Sequence, residues 1–221
     1  MLNSQDSVAK VVLDHSACAQ IFKQHHIDFC CRGEMSIEAV AKEKGLDVDA
    51  LVSELSRAIE ARQEVASDDL RELSTPELVA HIVAKHHEYT RKVLPFAKGL
   101  AVKVSRVHGD KNPKLRELLA AVEELADSLG PHLDDEEANL FPALIASKAE
   151  AAGLLESMHE EHLAVSALLD RIREASDGFT LPDWACNSYR TLFSELKDLE
   201  GDVFTHVHLE NHVLRPRFVA Q

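Results

Sequence analysis

Two stretches of this 221-residue chain repeat one arrangement of chemically capable side chains. HLDDEEANLFP begins at His132 and HVHLENHVLRP at His206. In both, a Glu follows the His by four residues (Glu136, Glu210), a Leu by eight (Leu140, Leu214) and a Pro by ten (Pro142, Pro216). Four residues are about one helical turn, so each His and Glu share a face and the Leu continues that stripe. Two helices of this kind offer two imidazoles and two carboxylates to one buried site. Such donors suit iron, manganese or zinc, and bundle cores with inward ligands of this type hold two metals.

The rest of the chain supplies helices to position these donors. Thr75-Pro76-Glu77 opens a long helix to about Val107, with Pro in the first turn, where its missing N–H costs nothing. Pro95 lies inside it and predicts a kink. HGDKNP (108–113) is a turn. A second helix follows over about 114–147, interrupted by Gly130-Pro131, which implies either a local bulge or a fresh helix start at His132. The third helix covers about 154–175, SDGFTLP (176–182) is the next turn, and the last helix runs from about 183 to 219. Four long helices with short turns predict an up-down-up-down bundle.

In an antiparallel hairpin, residues equidistant from the turn lie side by side. His87, His132, His162 and His206, one per helix, have sequence midpoints at 109–110, 147 and 184, each at or beside a predicted turn. The four imidazoles therefore share one level with Glu136 and Glu210. His108 lies 21 residues beyond His87, roughly 31 Å along a straight helix; its role as a ligand stays open. His86, His159, His208 and His212 point about 100° away from their neighbours and read as supporting or surface residues. Glu161, beside His162, reads as a solvated charge or the lining of a polar route.

Ahead of the bundle, residues 1–65 predict a small helical domain, residues 66–74 a linker, and residues 75–221 the bundle. Amphipathic stretches run over about 8–25, 36–44 and 48–61, with Ser36 and Asp47 as N-caps and Gly45 as a stop. Between the first two lies IDFCCRGEMS. Vicinal Cys30 and Cys31 cannot form an unstrained disulfide with each other. They can act as thiolates towards a metal, nitric oxide or another thiol, with Arg32 and the following helix start lowering a thiol pKa; the alternative is a buried small residue beside an incidental one.

Bulk composition sets the frame. The formal net charge of −14 argues against nucleic acid or anionic membranes as partners. No apolar run approaches the roughly 20 residues that cross a bilayer. The amino terminus has no signal-peptide pattern, so a cytoplasmic location is expected. The 4 cysteines do not form a secreted framework, and aromatics at 5% with Ala, Leu, Val and Glu dominant favour an all-α protein.

The two HxxxE motifs, together with MHEEH before a Leu-rich helix, resemble the hemerythrin-like fold. DFCCRGEMSIEAVA is similar to the small N-terminal domain of the iron–sulfur cluster repair di-iron proteins, the "repair of iron centres" family. This resemblance covers nearly the whole chain. It implies an oxo-bridged centre of two iron ions, in preference to manganese or zinc, held by His87, His132, Glu136, His162, His206 and Glu210, with the two Glu bridging. It further implies repair, by iron donation, of iron–sulfur proteins damaged by nitric oxide or oxidants, with Cys30 and Cys31 at the working surface. His108 matches a His that the family also carries. Arg215 departs from the first copy, which has Phe141 before its Pro. Two other functions are open: reduction of nitric oxide or dioxygen at the di-iron pair, and a gas carrier or sensor. Client, redox partner and oligomeric state are not legible.

Overall fold

The computed structural model describes residues 2–62, 69–148 and 150–219. Residues 66–68 of the predicted linker lie outside them. Helices account for the ordered elements; among the described residues the one β feature is an isolated bridge between Ser7 and Ser36. The chain forms two compact units, one of residues 1–73 with 204–221 and one of residues 74–203.

The first unit opens with α1 (Val8–Asp14) and α2 (Cys18–Gln24), then α3 (Ile37–Lys44) and α4 (Val48–Arg62). One helix was expected across 8–25; the chain instead turns at 15–17, where Cys18 N–H donates to the His15 carbonyl. The turn lets Val8 and Val11 on α1 and Phe22 on α2 enter one core with Ile37, Leu51 and Leu55. Burial of several large side chains, each contributing about 1.5–3 kcal/mol, outweighs one continuous run of backbone hydrogen bonds. The expected caps are present: Ser36 Oγ accepts from Ala39 N–H, Asp47 Oδ1 accepts from Ala50 N–H, and Gly45 closes α3 with φ of 68°. A short 3₁₀ turn at Leu70–Glu72 ends the amino-terminal part.

The second unit is the bundle proper. Ser74 and Glu77 make a capping box at the start of α5 (Thr75–Ile82). A π-helical turn, Val83–His87, follows without interruption into α6 (Glu88–His108), which passes through Pro95. Pro95 thus leaves α6 unbroken, and a widened turn lies eight to twelve residues before it, ending at His87. Likewise α7 (Lys114–Asp135) runs through Gly130-Pro131 unbroken, and a second π turn, Glu136–Leu140, leads into α8 (Phe141–Ile145). Next come α9 (Ala151–Ala175) and α10 (Asn187–Leu209), the latter belonging to this unit as far as Val203. The turn between them carries Asp177, Gly178 and Phe179 at positive φ. A third π turn, Glu210–Leu214, follows α10.

Helix α7 packs along both α6 and α9. Arg173 on α9 grips buried Glu200 on α10, its Nε donating to Oε1 at 2.9 Å. His86 meets Asp202 of α10 through Nδ1 at 2.9 Å, which closes the ring of four rods. Leu118, Val122, Leu125, Leu129, Val165 and Leu192 fill the middle.

Candidate metal centre

Glu136 is fully buried, and three imidazoles of the bundle unit surround it. His87 Nε2 lies 3.3 Å from Oε2, while His132 Nε2 and His162 Nε2 lie 3.4 and 3.7 Å from Oε1. The two carboxylate oxygens therefore face different imidazoles. His87, His132 and His162 are each 3% exposed or less. His132, Glu136 and His162 bring donor atoms close enough together for one cation, with the two rings 5.0 Å apart. His132, in the last turn of α7, and Glu136, the first residue of the π turn that follows, lie four residues apart and meet at the same site, as their spacing requires.

What holds the imidazoles was only partly legible. His87 Nδ1 meets Glu137 Oε1 at 2.7 Å, and His132 Nδ1 meets Glu161 Oε2 at 2.8 Å. A carboxylate on Nδ1 fixes that nitrogen as the donor and leaves Nε2 with its lone pair aimed into the centre, the usual disposition of a metal-binding histidine. His132 Nε2 is buried with no hydrogen-bond partner among the described residues. An orphaned imidazole nitrogen beside a buried carboxylate is costly in an apolar core and is the arrangement a cation would satisfy. The donor chemistry, nitrogen with carboxylate oxygen, fits iron, manganese or zinc. Burial pushes the Glu137 carboxyl upward, but the Arg91 and His87 contacts outweigh it and hold it below its ordinary value. Glu137 thus stays a charged anchor.

Glu161, expected to be a solvated charge or the lining of a polar route, is half-exposed and pairs with His132. Glu137 was missed, although an acid directly after Glu136 was the available signal. His86, expected at a supporting or surface position, is buried against Asp202. His108 is the last residue of α6, with Nε2 3.2 Å from the Cys186 sulfur and its ring beside Trp184; it is not among the imidazoles around Glu136.

In the other unit, His206 and Glu210 are buried and paired, with Nε2 3.0 Å from Oε1. Each HxxxE copy therefore ends in a Glu that opens a π turn. Such turns insert one residue into the helix and are frequent at functional sites.

A family model described as "Hemerythrin HHE cation binding domain" matches residues 78–218, and one described as a domain of unknown function (DUF542) matches residues 4–59. The chain is 35% identical over 199 residues to the iron-sulfur cluster repair protein YtfE of Yersinia pseudotuberculosis, covering 90% of this chain and 89% of that one. It is 31% identical over 223 residues to the iron-sulfur cluster repair protein ScdA of Staphylococcus haemolyticus, covering 99% of this chain and all of the relative. This chain belongs to that hemerythrin-type family.

A cation-binding family domain is in keeping with this buried histidine and glutamate cluster, whose donors could hold a metal, and membership directs attention to the thiols that precede the bundle in the sequence. Cys30 is buried and Cys31 half-buried. Asp28 Oδ1 accepts from the backbone N–H of both cysteines at 2.9 Å and lies 3.0 Å from the Cys30 sulfur. Three side chains of the same unit clamp this loop from the carboxyl-terminal segment. His208 Nδ1 donates to the Phe29 carbonyl at 3.1 Å; Asn211 Nδ2 and His212 Nε2 reach the Cys30 carbonyl at 3.2 and 2.7 Å. So His208 and His212, expected to be supporting or surface residues, support the thiol loop. The expected lowering of a thiol pKa by Arg32 fails at Cys30. Burial pushes that thiol well above its ordinary value, Cys31 and Asp28 add to the rise, and Arg32 is spent on Glu43. No described helix is long and apolar enough to cross a membrane.

Proposed function

We propose that this chain carries two iron ions in its bundle and repairs damaged iron–sulfur clusters by giving iron up. The observation that carries the reading is Glu136, buried between imidazoles, with one oxygen facing His87 and the other facing His132 and His162. That is the posture of a carboxylate serving two cations. His206 and Glu210 complete the donor set in this proposal, because they repeat the HxxxE spacing, the burial and the π turn of the first copy. Four imidazole nitrogens and the four oxygens of two bridging carboxylates would be eight donor atoms for two ions, fewer than two closed octahedra need, which suits iron that must leave. Bound iron supplies the cargo and one-electron redox chemistry.

The chain's own residues do the rest. Glu137 and Glu161 hold their imidazoles in the tautomer that presents Nε2. Protonation of those nitrogens competes with the metal, so mild acid promotes release. Cys30 and Cys31 meet the damaged client, an iron–sulfur protein injured by nitric oxide or oxidants. Their loop is fastened by three side chains, a provision that a gas carrier has no use for. The cytoplasm, where thiols stay reduced, suits four cysteines that form no disulfide.

The test is reactivation of a nitric-oxide-damaged [4Fe–4S] dehydratase by protein loaded with isotopically labelled iron. Recovery should follow the label into the client, and Glu136→Ala should abolish both. Recovery without label transfer sinks the proposal. Repeated consumption of nitric oxide by the reduced protein, with no iron lost, would install the reductase reading in its place.

A further inference from the structure

We propose that Asp28, Cys30 and Cys31 form a second, mononuclear metal site, outside the bundle, for one divalent cation of borderline softness such as Fe²⁺. Their donor atoms lie close enough together to share one ion. The Cys30 and Cys31 sulfurs are 3.6 Å apart. Two thiolates bound to one tetrahedral ion at ~2.3 Å would sit about 3.8 Å apart. The thiols thus stand almost where chelation needs them, and vicinal cysteines that cannot easily join as a disulfide keep both sulfurs for an ion. Asp28 Oδ1, 3.0 Å from the Cys30 sulfur, needs to withdraw only to about 3.5 Å to be the third ligand.

The loop is built to hold that shape. Asp28 is fastened by the N–H groups of Cys30 and Cys31, and the Cys30 carbonyl by Asn211 and His212. At Gly33 an added Cβ would stand 2.6 Å from the Ala9 Cβ and 2.7 Å from the Phe29 carbonyl oxygen, so the chain approaches closely there. Cys31 is half-buried, which leaves the site a solvent-facing side and room for a fourth ligand from water or a client. Binding exchanges two thiol protons for one dication: M²⁺ with two S–H groups gives an M–S₂ chelate and two H⁺. The donor set alone carries the metal site; its occupation by iron rests on the cluster-repair reading.

Cobalt(II) added anaerobically to the reduced, metal-free full chain tests it. Thiolate ligation produces an intense sulfur-to-cobalt charge-transfer absorption that nitrogen and oxygen donors in the bundle cannot produce. At saturation the band should correspond to one thiolate-bound cobalt per chain. It should persist in Cys18→Ser, Cys186→Ser and Glu136→Ala, and vanish in Cys31→Ser, a near-isosteric change at a half-buried position that should keep the fold intact by circular dichroism. Asp28→Asn, which preserves the acceptor for the two backbone N–H groups, should weaken cobalt binding by at least about tenfold. No band in the wild type, a band that survives Cys31→Ser, or unchanged affinity in Asp28→Asn overturns the site. Loss of the band only in Glu136→Ala would assign the thiolates to the bundle metal instead. The cobalt assay reads the loop and the dehydratase assay reads the bundle, so either can fail alone.

Discussion

Replacing Glu161 should loosen the metal while leaving the fold in place. The carboxylate makes one contact that matters, 2.8 Å from His132 Nδ1, and its side chain is 49% exposed. A half-exposed ion pair contributes at most about 1 kcal/mol to stability. The same contact fixes the tautomer and direction of a ring that is 3% exposed and presents Nε2 to Glu136. Removing such an anchor costs about 10–100-fold in metal affinity, or about 1.4–2.8 kcal/mol. Glu161→Ala should therefore lose affinity by that factor in a chelator-competition titration, with a melting curve close to wild type in the metal-free form. Glu161→Gln, which keeps an acceptor but not the charge, should fall between the two. Glu160→Ala, one residue away and exposed, is the control. Equal affinities for wild type and Glu161→Ala, or equal losses for Glu160→Ala and Glu161→Ala, would refute the anchoring role.

Three further outcomes follow from particular contacts. Arg173→Met strands the buried Glu200 carboxylate and should destabilise the protein by about 3–5 kcal/mol in urea titrations, whereas Arg173→Met with Glu200→Leu should recover most of that loss. Gly33→Ala forces a Cβ against Ala9 and the Phe29 carbonyl and should cost about 1–3 kcal/mol, read as a lowered melting temperature. Burial, with His212 beside it, lowers the His208 pKa to about 4 against an ordinary 6.5. A buried base with a depressed folded pKa stabilises fully above its unfolded pKa. That contribution is lost as pH falls from about 6.5 towards 4, on the order of 3 kcal/mol, and denaturant titrations across this window should show a shallower loss in His208→Gln.

Much of this architecture is local and therefore readable in one dimension. Ser36, Asp47 and Gly45 declare helix ends by their own chemistry, and HxxxE declares a face by spacing. The hairpin midpoints around 109–110 and 147 place His87, His132 and His162 at one height, where Glu136 receives all three. What escaped was decided at long range. No periodicity announces that Glu161 turns towards His132 rather than water, because that choice is made by a neighbouring helix. The clamp of His208, Asn211 and His212 on the thiol loop joins residues 179 to 182 positions apart. Pro95 promised a kink and Gly130-Pro131 an interruption, yet α6 and α7 continue unbroken through them, and the widened turns fall at His87, Glu136 and Glu210.

That last feature bears on how the protein could be engineered. Each π turn is a helix carrying one residue too many, and deleting that residue would restore ordinary hydrogen bonding and add stability. It would also rotate every side chain beyond the cut by about a quarter of a circle. A consensus or idealised redesign of these helices should therefore yield a hardier rod with no grip on metal, though every ligand survives in its sequence.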